Sequence, residues 1–187
     1  MAGKCILILG GARSGKSHFA QRLASELGER VLFVATAQPL DEDMRRRIEE
    51  HRRIRPAGWR TLEVPVEVSR AIREQRGDAQ VVLLDCLTLL VSNLMLLGGE
   101  DAGPEGIERI EERITQEIEG LIGCLDGFEG SFIIVSNEVG LGLVPSRRLG
   151  RLYRDLLGRA NQLLAQRADR VYFMVAGIPW EVKGGGP

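Results

Sequence analysis

The chain has 187 residues, 44% of them hydrophobic and 27% charged, with 25 Lys plus Arg against 26 Asp plus Glu. This is one domain's worth of sequence, residues 1–187, able to bury a core without disulfides or a structural metal. The formal net charge of -1 excludes a protein whose main work is to coat nucleic acid or an anionic membrane.

Residues 4–9 (KCILIL) form an apolar run that stops at Gly10-Gly11 and predicts a buried strand. Phe19, Leu23 and Leu27 mark one face of a helix over 17–27, which Gly28 ends. A second strand follows at 30–36. Asp41 caps a helix running to about Arg53, and Pro56 stops it. A weak strand at 62–64 and a helix at 67–75 come next.

A third strand at 80–84 ends at Asp85, and 88–97 reads as a buried helix. The segment 98–104 (GGEDAGP) is the best candidate for a loop or lid. Ile107, Ile110, Ile114, Ile118, Leu121, Ile122 and Leu125 define a long amphipathic helix. A fourth strand at 131–136 follows, then a helix marked by residues from Leu149 to Leu164. The last strand spans 170–176, and the tail from Lys183 onward reads as frayed. Strands alternating with helices mean an α/β fold with a mainly parallel sheet covered on both faces.

The three cysteines, Cys5, Cys86 and Cys124, form no CxxC pair, so they read as reduced thiols of a cytoplasmic protein. The longest apolar stretch, from Leu87 to Leu97, is interrupted by Ser92 and Asn93 and cannot span a bilayer.

Chemistry begins at Gly10-Gly11-Ala12-Arg13-Ser14-Gly15-Lys16-Ser17, which matches G-x-x-x-x-G-K-[ST] between a strand and a helix. Glycines let the backbone turn its N–H groups toward phosphate oxygens, and the helix start adds a favourable dipole end. Lys16 reaches the β and γ phosphates, and the Ser17 hydroxyl suits Mg²⁺. Asp85, at a strand end, is either an Mg²⁺ partner or a cap for the helix behind it. The bland reading of the loop is a glycine turn beside an exposed lysine. The loop implies nucleotide binding without naming a reaction.

Two histidines are present. His18 reads as a helix-surface residue flanking the nucleotide. His51 shares a helical face with Met44 and Ile48, amid Arg45, Arg46, Arg47, Arg52, Arg53, Arg55 and Arg60. Those arginines are either a solvated face balanced by neighbouring acids or a site gripping polyphosphate. Glu138, in Asn137-Glu138-Val139-Gly140, is either a base near the phosphates or a cap of its own turn.

The combination of GGARSGKS (10–17), RIEEHRRIRPAGWRTLE (47–63) and SNEVGLGLVP (136–145) is specific. With the stretches at 31–44, 83–95 and 158–179, it resembles the bifunctional adenosylcobinamide kinase / adenosylcobinamide-phosphate guanylyltransferase family over nearly the whole chain. The resemblance implies a single P-loop NTPase domain of RecA-like type. It implies that ATP or GTP phosphorylates adenosylcobinamide, and that GMP from GTP then passes through a histidine to adenosylcobinamide-phosphate. The histidine in that position is His51. Glu50 stands where some relatives have a second histidine, and Asp85 where some carry Glu.

The resemblance also implies nucleotide contacts at residues 10–17, at Thr36, Ala37 and Gln38, at His51, Arg52, Arg53 and Ile54, and at Glu63 and Asp85. Lys16 and His51 are then the catalytic pair, Ser17 and Asp85 the Mg²⁺ partners, and the assembly a homotrimer. Two other readings compete: a P-loop kinase of another small alcohol, in which His51 is structural, and a RecA-like nucleotide switch using the arginines as a contact surface.

Overall fold

The computed structural model describes residues 4–99 and 103–185. Its elements are β1 (Cys5–Gly10), α1 (Lys16–Leu27), β2 (Val31–Ala35), α2 (Glu42–Ile54), β3 (Arg60–Glu63) and α3 (Val68–Gln75). They continue as β4 (Val81–Asp85), α4 (Leu87–Leu96), α5 (Pro104–Asp126), β5 (Ser131–Val135), α6 (Arg148–Arg167), β6 (Arg170–Val175) and β7 (Ile178–Lys183). One seven-stranded sheet runs in the order β3-β2-β4-β5-β1-β6-β7. Every pairing is parallel except β6 with β7.

Local chemistry accounts for the element ends. The Asp41 carboxylate accepts a hydrogen bond from the Met44 N–H at 2.7 Å, capping α2 as expected. Pro104 opens α5, where its missing N–H costs nothing. The apolar stripe of α5 buries Ile110, Ile114, Ile118, Leu121 and Cys124, which face the sheet at helical spacing. Cys5, Cys86 and Cys124 are free thiols.

The two sheet faces are covered unequally. One carries α3, α4, α5 and α6 over a large core that includes Leu7, Val34, Leu84, Ile118 and Leu157. On the other, α1 packs Phe19, Ala20 and Ala24 against Ile6, Ile8, Phe33, Leu83 and Val135. Helix α2 approaches that face at the β2–β4 side, where His51 and Arg55 lie by Asp85 and Phe33, and it buries no residue completely.

Two sequence expectations need correction. Lys183, expected to begin a frayed tail, instead ends a strand, Ile178–Lys183, which pairs with β6 and for which the sequence had suggested no element. A tight turn at Ala176 and Gly177, both at positive φ, makes the hairpin. The expected lid at 98–104 falls partly on residues 100–102, which lie outside the described residues. Among the described residues, no helix is long and apolar enough to cross a membrane.

Helix α6 reaches the carboxyl edge of the sheet. Asn161 donates from Nδ2 to the carbonyl of Asn137, just past the end of β5. The turns of α6 before Asn161 run alongside α4 at this end of the sheet, where the Tyr153 hydroxyl donates to the Thr88 carbonyl at 3.3 Å. In parallel α/β sheets that edge is where ligands bind.

Candidate active site

The phosphate loop leaves β1 at this edge and enters α1. Gly15 caps α1 at φ 91°, and a side chain there would lie 3.1 Å from the Gly177 Cα. A Cβ on Gly10, at φ 149°, would come within 2.7 Å of the Met174 carbonyl oxygen. The motif glycines thus answer both to dihedral angle and to the β6–β7 hairpin pressed against the loop. Gly177 closes that contact by donating to the Ser14 carbonyl at 3.0 Å. Gly11, Ala12 and Arg13 stay exposed to solvent, with Arg13 at φ 56°.

Lys16 is buried and folds back over the loop, its Nζ donating to the Gly11 carbonyl at 2.5 Å. Burial lowers its pKa, and the Cys86 thiol and Asp85 carboxyl beside it partly offset this. Asp85 is drawn the opposite way: burial raises its pKa, against His51, Ser17, Lys16 and Arg55. Its Oδ2 is buried and has no hydrogen-bond partner among the described residues. Burial pushes the Cys86 thiol up to about 12, with the Asp85 charge adding to it, so this thiol is not a nucleophile at neutral pH.

His51 completes the group. The half-buried residues of α2 are Met44, Ile48 and His51, which continue into Arg55 just past its end. This is the face expected from spacing. The His51 Nδ1 sits 3.8 Å from the Asp85 Oδ2, an ion-pair distance and not a hydrogen bond. The histidine side chain keeps 41% of its surface open, so it is reachable from solvent.

The remaining expected residues divide. Arg52 pairs with Glu63 across the α2–β3 junction, so both stand at the rim. Arg53 and Ile54 face solvent. Ala37 and Gln38 are half-buried where the chain leaves β2. Thr36 is fully buried, and its hydroxyl donates to the Cys86 carbonyl at 2.7 Å and accepts from the Cys86 N–H at 3.0 Å. Asn93 donates to the Thr36 carbonyl at 2.8 Å. The Thr36 side chain therefore locks the ends of β2 and β4 together, and its backbone is engaged as well, the N–H donating to the Asp85 carbonyl at 3.4 Å. The Glu138 carboxylate accepts from the Gly140 N–H, so it caps its own turn. His18 is exposed on α1.

Arg55 is the residue that sequence reasoning did not single out. Its guanidinium lies 3.6 Å from the centre of the Phe33 ring and donates to the Thr61 hydroxyl at 2.7 Å. Burial lowers its pKa, partly offset by Glu63 and Asp85. Trp59 stacks against the same ring at 6.4 Å. A cation held on an aromatic face beside a carboxylate is pre-organised to meet phosphate oxygens.

A parallel sheet with this loop and a strand-end carboxylate defines a P-loop nucleotide-binding protein. The family model for cobinamide kinase / cobinamide phosphate guanyltransferase matches residues 6–182. The chain belongs to that family. It is 47% identical over 178 residues to the bifunctional adenosylcobalamin biosynthesis protein CobP of Pseudomonas aeruginosa, covering 95% of this chain and 96% of that protein. The corresponding CobU proteins of Escherichia coli and Salmonella typhimurium are 42% and 41% identical over 180 residues, covering 95% of this chain and 99% of each. The family and the relatives' names agree with the enzyme class that the resemblance implied.

Proposed function

We propose that this chain phosphorylates the aminopropanol hydroxyl of adenosylcobinamide with ATP or GTP. It then moves GMP from GTP, through a covalent bond to His51, onto adenosylcobinamide phosphate, giving adenosylcobinamide-GDP. The observation that carries this reading is the approach of His51 to Asp85, at the carboxyl edge where Lys16 and Ser17 also converge.

With Nδ1 turned toward Asp85, the neutral imidazole has Nε2 as its free nucleophile. Nε2 attacks the α-phosphorus of GTP. A P–N bond forms, the bond to the bridging oxygen breaks, and pyrophosphate leaves with the electron pair. A phosphate oxygen of the acceptor then attacks the same phosphorus and the P–N bond breaks. Lys16 and Arg55 neutralise charge growing on the departing oxygens. The kinase step needs no protein nucleophile, only alignment of the hydroxyl and neutralisation of the γ-phosphoryl charge.

The Ser17 hydroxyl and the unpartnered Asp85 Oδ2 fit Mg²⁺, which binds through one or two carboxylates plus phosphate oxygens. When bound, the ion screens the phosphate charge. One phosphate loop serves both reactions within a single domain, at residues 10–17, with Thr36, Ala37, Gln38, Arg52, Arg53, Ile54 and Glu63 forming the nucleotide's surroundings. The homotrimer implied by resemblance is supported by the apolar side chains that β7 leaves open, Ile178, Trp180 and Val182. Three free thiols support a cytoplasmic setting.

The test separates the two activities. In His51→Ala, the acid-labile label from α-labelled GTP and guanylyl transfer should disappear, while phosphorylation of adenosylcobinamide persists. A normal yield of adduct in that variant refutes the assignment. Phosphorylation without adduct or guanylyl transfer in the parent, and unchanged in His51→Ala, would favour a simple kinase in which His51 is structural.

A further inference from the structure

The chemistry so far uses the side of the carboxyl edge that holds α2 and leaves the acceptor without a seat. On the other side, one face of α6 and Gly140 border a shallow, open groove of about 390 Å³. It is lined by Gly140, Arg154, Asp155, Gly158, Arg159 and Gln162. We propose that this groove holds one edge of the corrinoid acceptor, cobinamide or its phosphate, an inference that rests on the function proposed above.

Position is the first argument. The groove continues directly from the phosphate site, because Glu138 donates its N–H to the Gly10 carbonyl at 3.0 Å. Gly140, two residues on, is already a wall of the groove. The Asn137 N–H is held by the Thr88 hydroxyl at 2.7 Å, and its carbonyl by Asn161. The segment joining the two sites is thus anchored to α4 and α6.

The floor is the second argument. Gly158 lies inside α6, where glycine is a poor choice compared with alanine. A Cβ built there meets nothing within 4 Å, so packing does not demand its absence. A glycine that no neighbour requires keeps the floor of the groove low.

The third argument is chemical. Arg154, Arg159 and Gln162 offer donors, and Asp155 and Gln162 offer acceptors. A corrin ring is fringed with primary carboxamides, each both donor and acceptor, and this mixed set matches them better than it matches a bare phosphate. Beyond Gly140 the chain exposes Leu141, Leu143 and Val144 at 81%, 96% and 63% of their surface. Three bare aliphatic side chains beside a polar groove suit a ligand with polar edges and apolar faces. The groove is smaller than a corrinoid, so it takes an edge while the rest of the macrocycle lies across the 141–144 segment.

The experiment fills the groove. Gly158→Leu and Arg159→Ala are assayed for phosphorylation of adenosylcobinamide by ATP, for the GMP adduct formed without acceptor, and for particle mass. In Gly158→Leu the KM for adenosylcobinamide should rise at least about tenfold, and in Arg159→Ala by a smaller factor. The KM for ATP, the adduct rate and the particle mass should match the parent. A corrinoid KM within about twofold of the parent in both variants overturns the proposal. So does a changed particle mass in Gly158→Leu, which would assign the groove to a second copy of the chain. If Gly158→Leu does not fold, Arg159→Ala decides by the same readings. Absence of the adduct in the parent would strike the His51 reading alone, because the kinase KM still reports on the groove.

Discussion

The two halves of the active site are built in opposite ways. The phosphate loop is set into the core: Ser14 and Lys16 are buried, Gly10 and Gly15 leave no room for a Cβ, and the β6–β7 hairpin braces the loop from outside. The helix carrying His51 has no fully buried residue and is tied down by a few polar links, namely the Asp41 cap, Arg52 to Glu63, Arg55 on Phe33 and His51 toward Asp85. A rigid mould suits the group common to both reactions, the polyphosphate. A lightly anchored helix suits the role proposed for His51, a nucleophile in only one of them, because shifting it costs little burial.

Variants can break or sharpen this contrast. The largest effect is expected at Lys16, on the rigid side. Lys16→Ala should lower both activities by about 10²–10³-fold, since the same ammonium serves both transition states. Full kinase activity in that variant would place the kinase nucleotide elsewhere. Asp85→Asn sits where the halves meet. It should raise the Mg²⁺ concentration needed for half-maximal activity by about tenfold, more than it weakens metal-free GTP binding. An unchanged Mg²⁺ dependence would leave Asp85 as a helix-side structural residue.

The smallest effect belongs to Asp41→Ala on the lightly anchored side. Losing the cap destabilises α2 by about 1 kcal/mol. Because α2 contributes no fully buried residue, adduct formation should fall while the global Tm changes little. A drop in Tm comparable to that of a buried substitution such as Ile118→Ala, which should cost about 2–5 kcal/mol, would show that α2 is integral to the core.

Legibility in the sequence follows the same division. The rigid half announces itself, because a strand, a glycine-rich turn and a helix in immediate succession encode a phosphate cradle locally. The α5 stripe and the inward face of α2 were equally readable, since helical period alone decides them. What could not be read depends on partners distant in sequence. Arg55 is one arginine among several until the sheet brings Phe33 beneath it. Thr36 looks like a free hydroxyl until the end of β4 arrives to occupy it. Strand β7 was missed because Pro179 interrupts its short apolar run, and only the glycine-rich stretch from Lys183 was given a reading, as a tail. Yet Pro179 sits on an edge strand, where its missing N–H is tolerated, and the turn at Ala176-Gly177 was the available signal.

The central claim is that His51 carries GMP. The most direct measurement is intact-protein and peptide mass spectrometry, after incubation with GTP and Mg²⁺ and with acid avoided throughout. The account predicts a mass increase of one guanylyl group per chain, mapped to the peptide containing His51 and reversed by pyrophosphate. An unmodified protein, or an adduct mapped to His18 or a lysine, would contradict it.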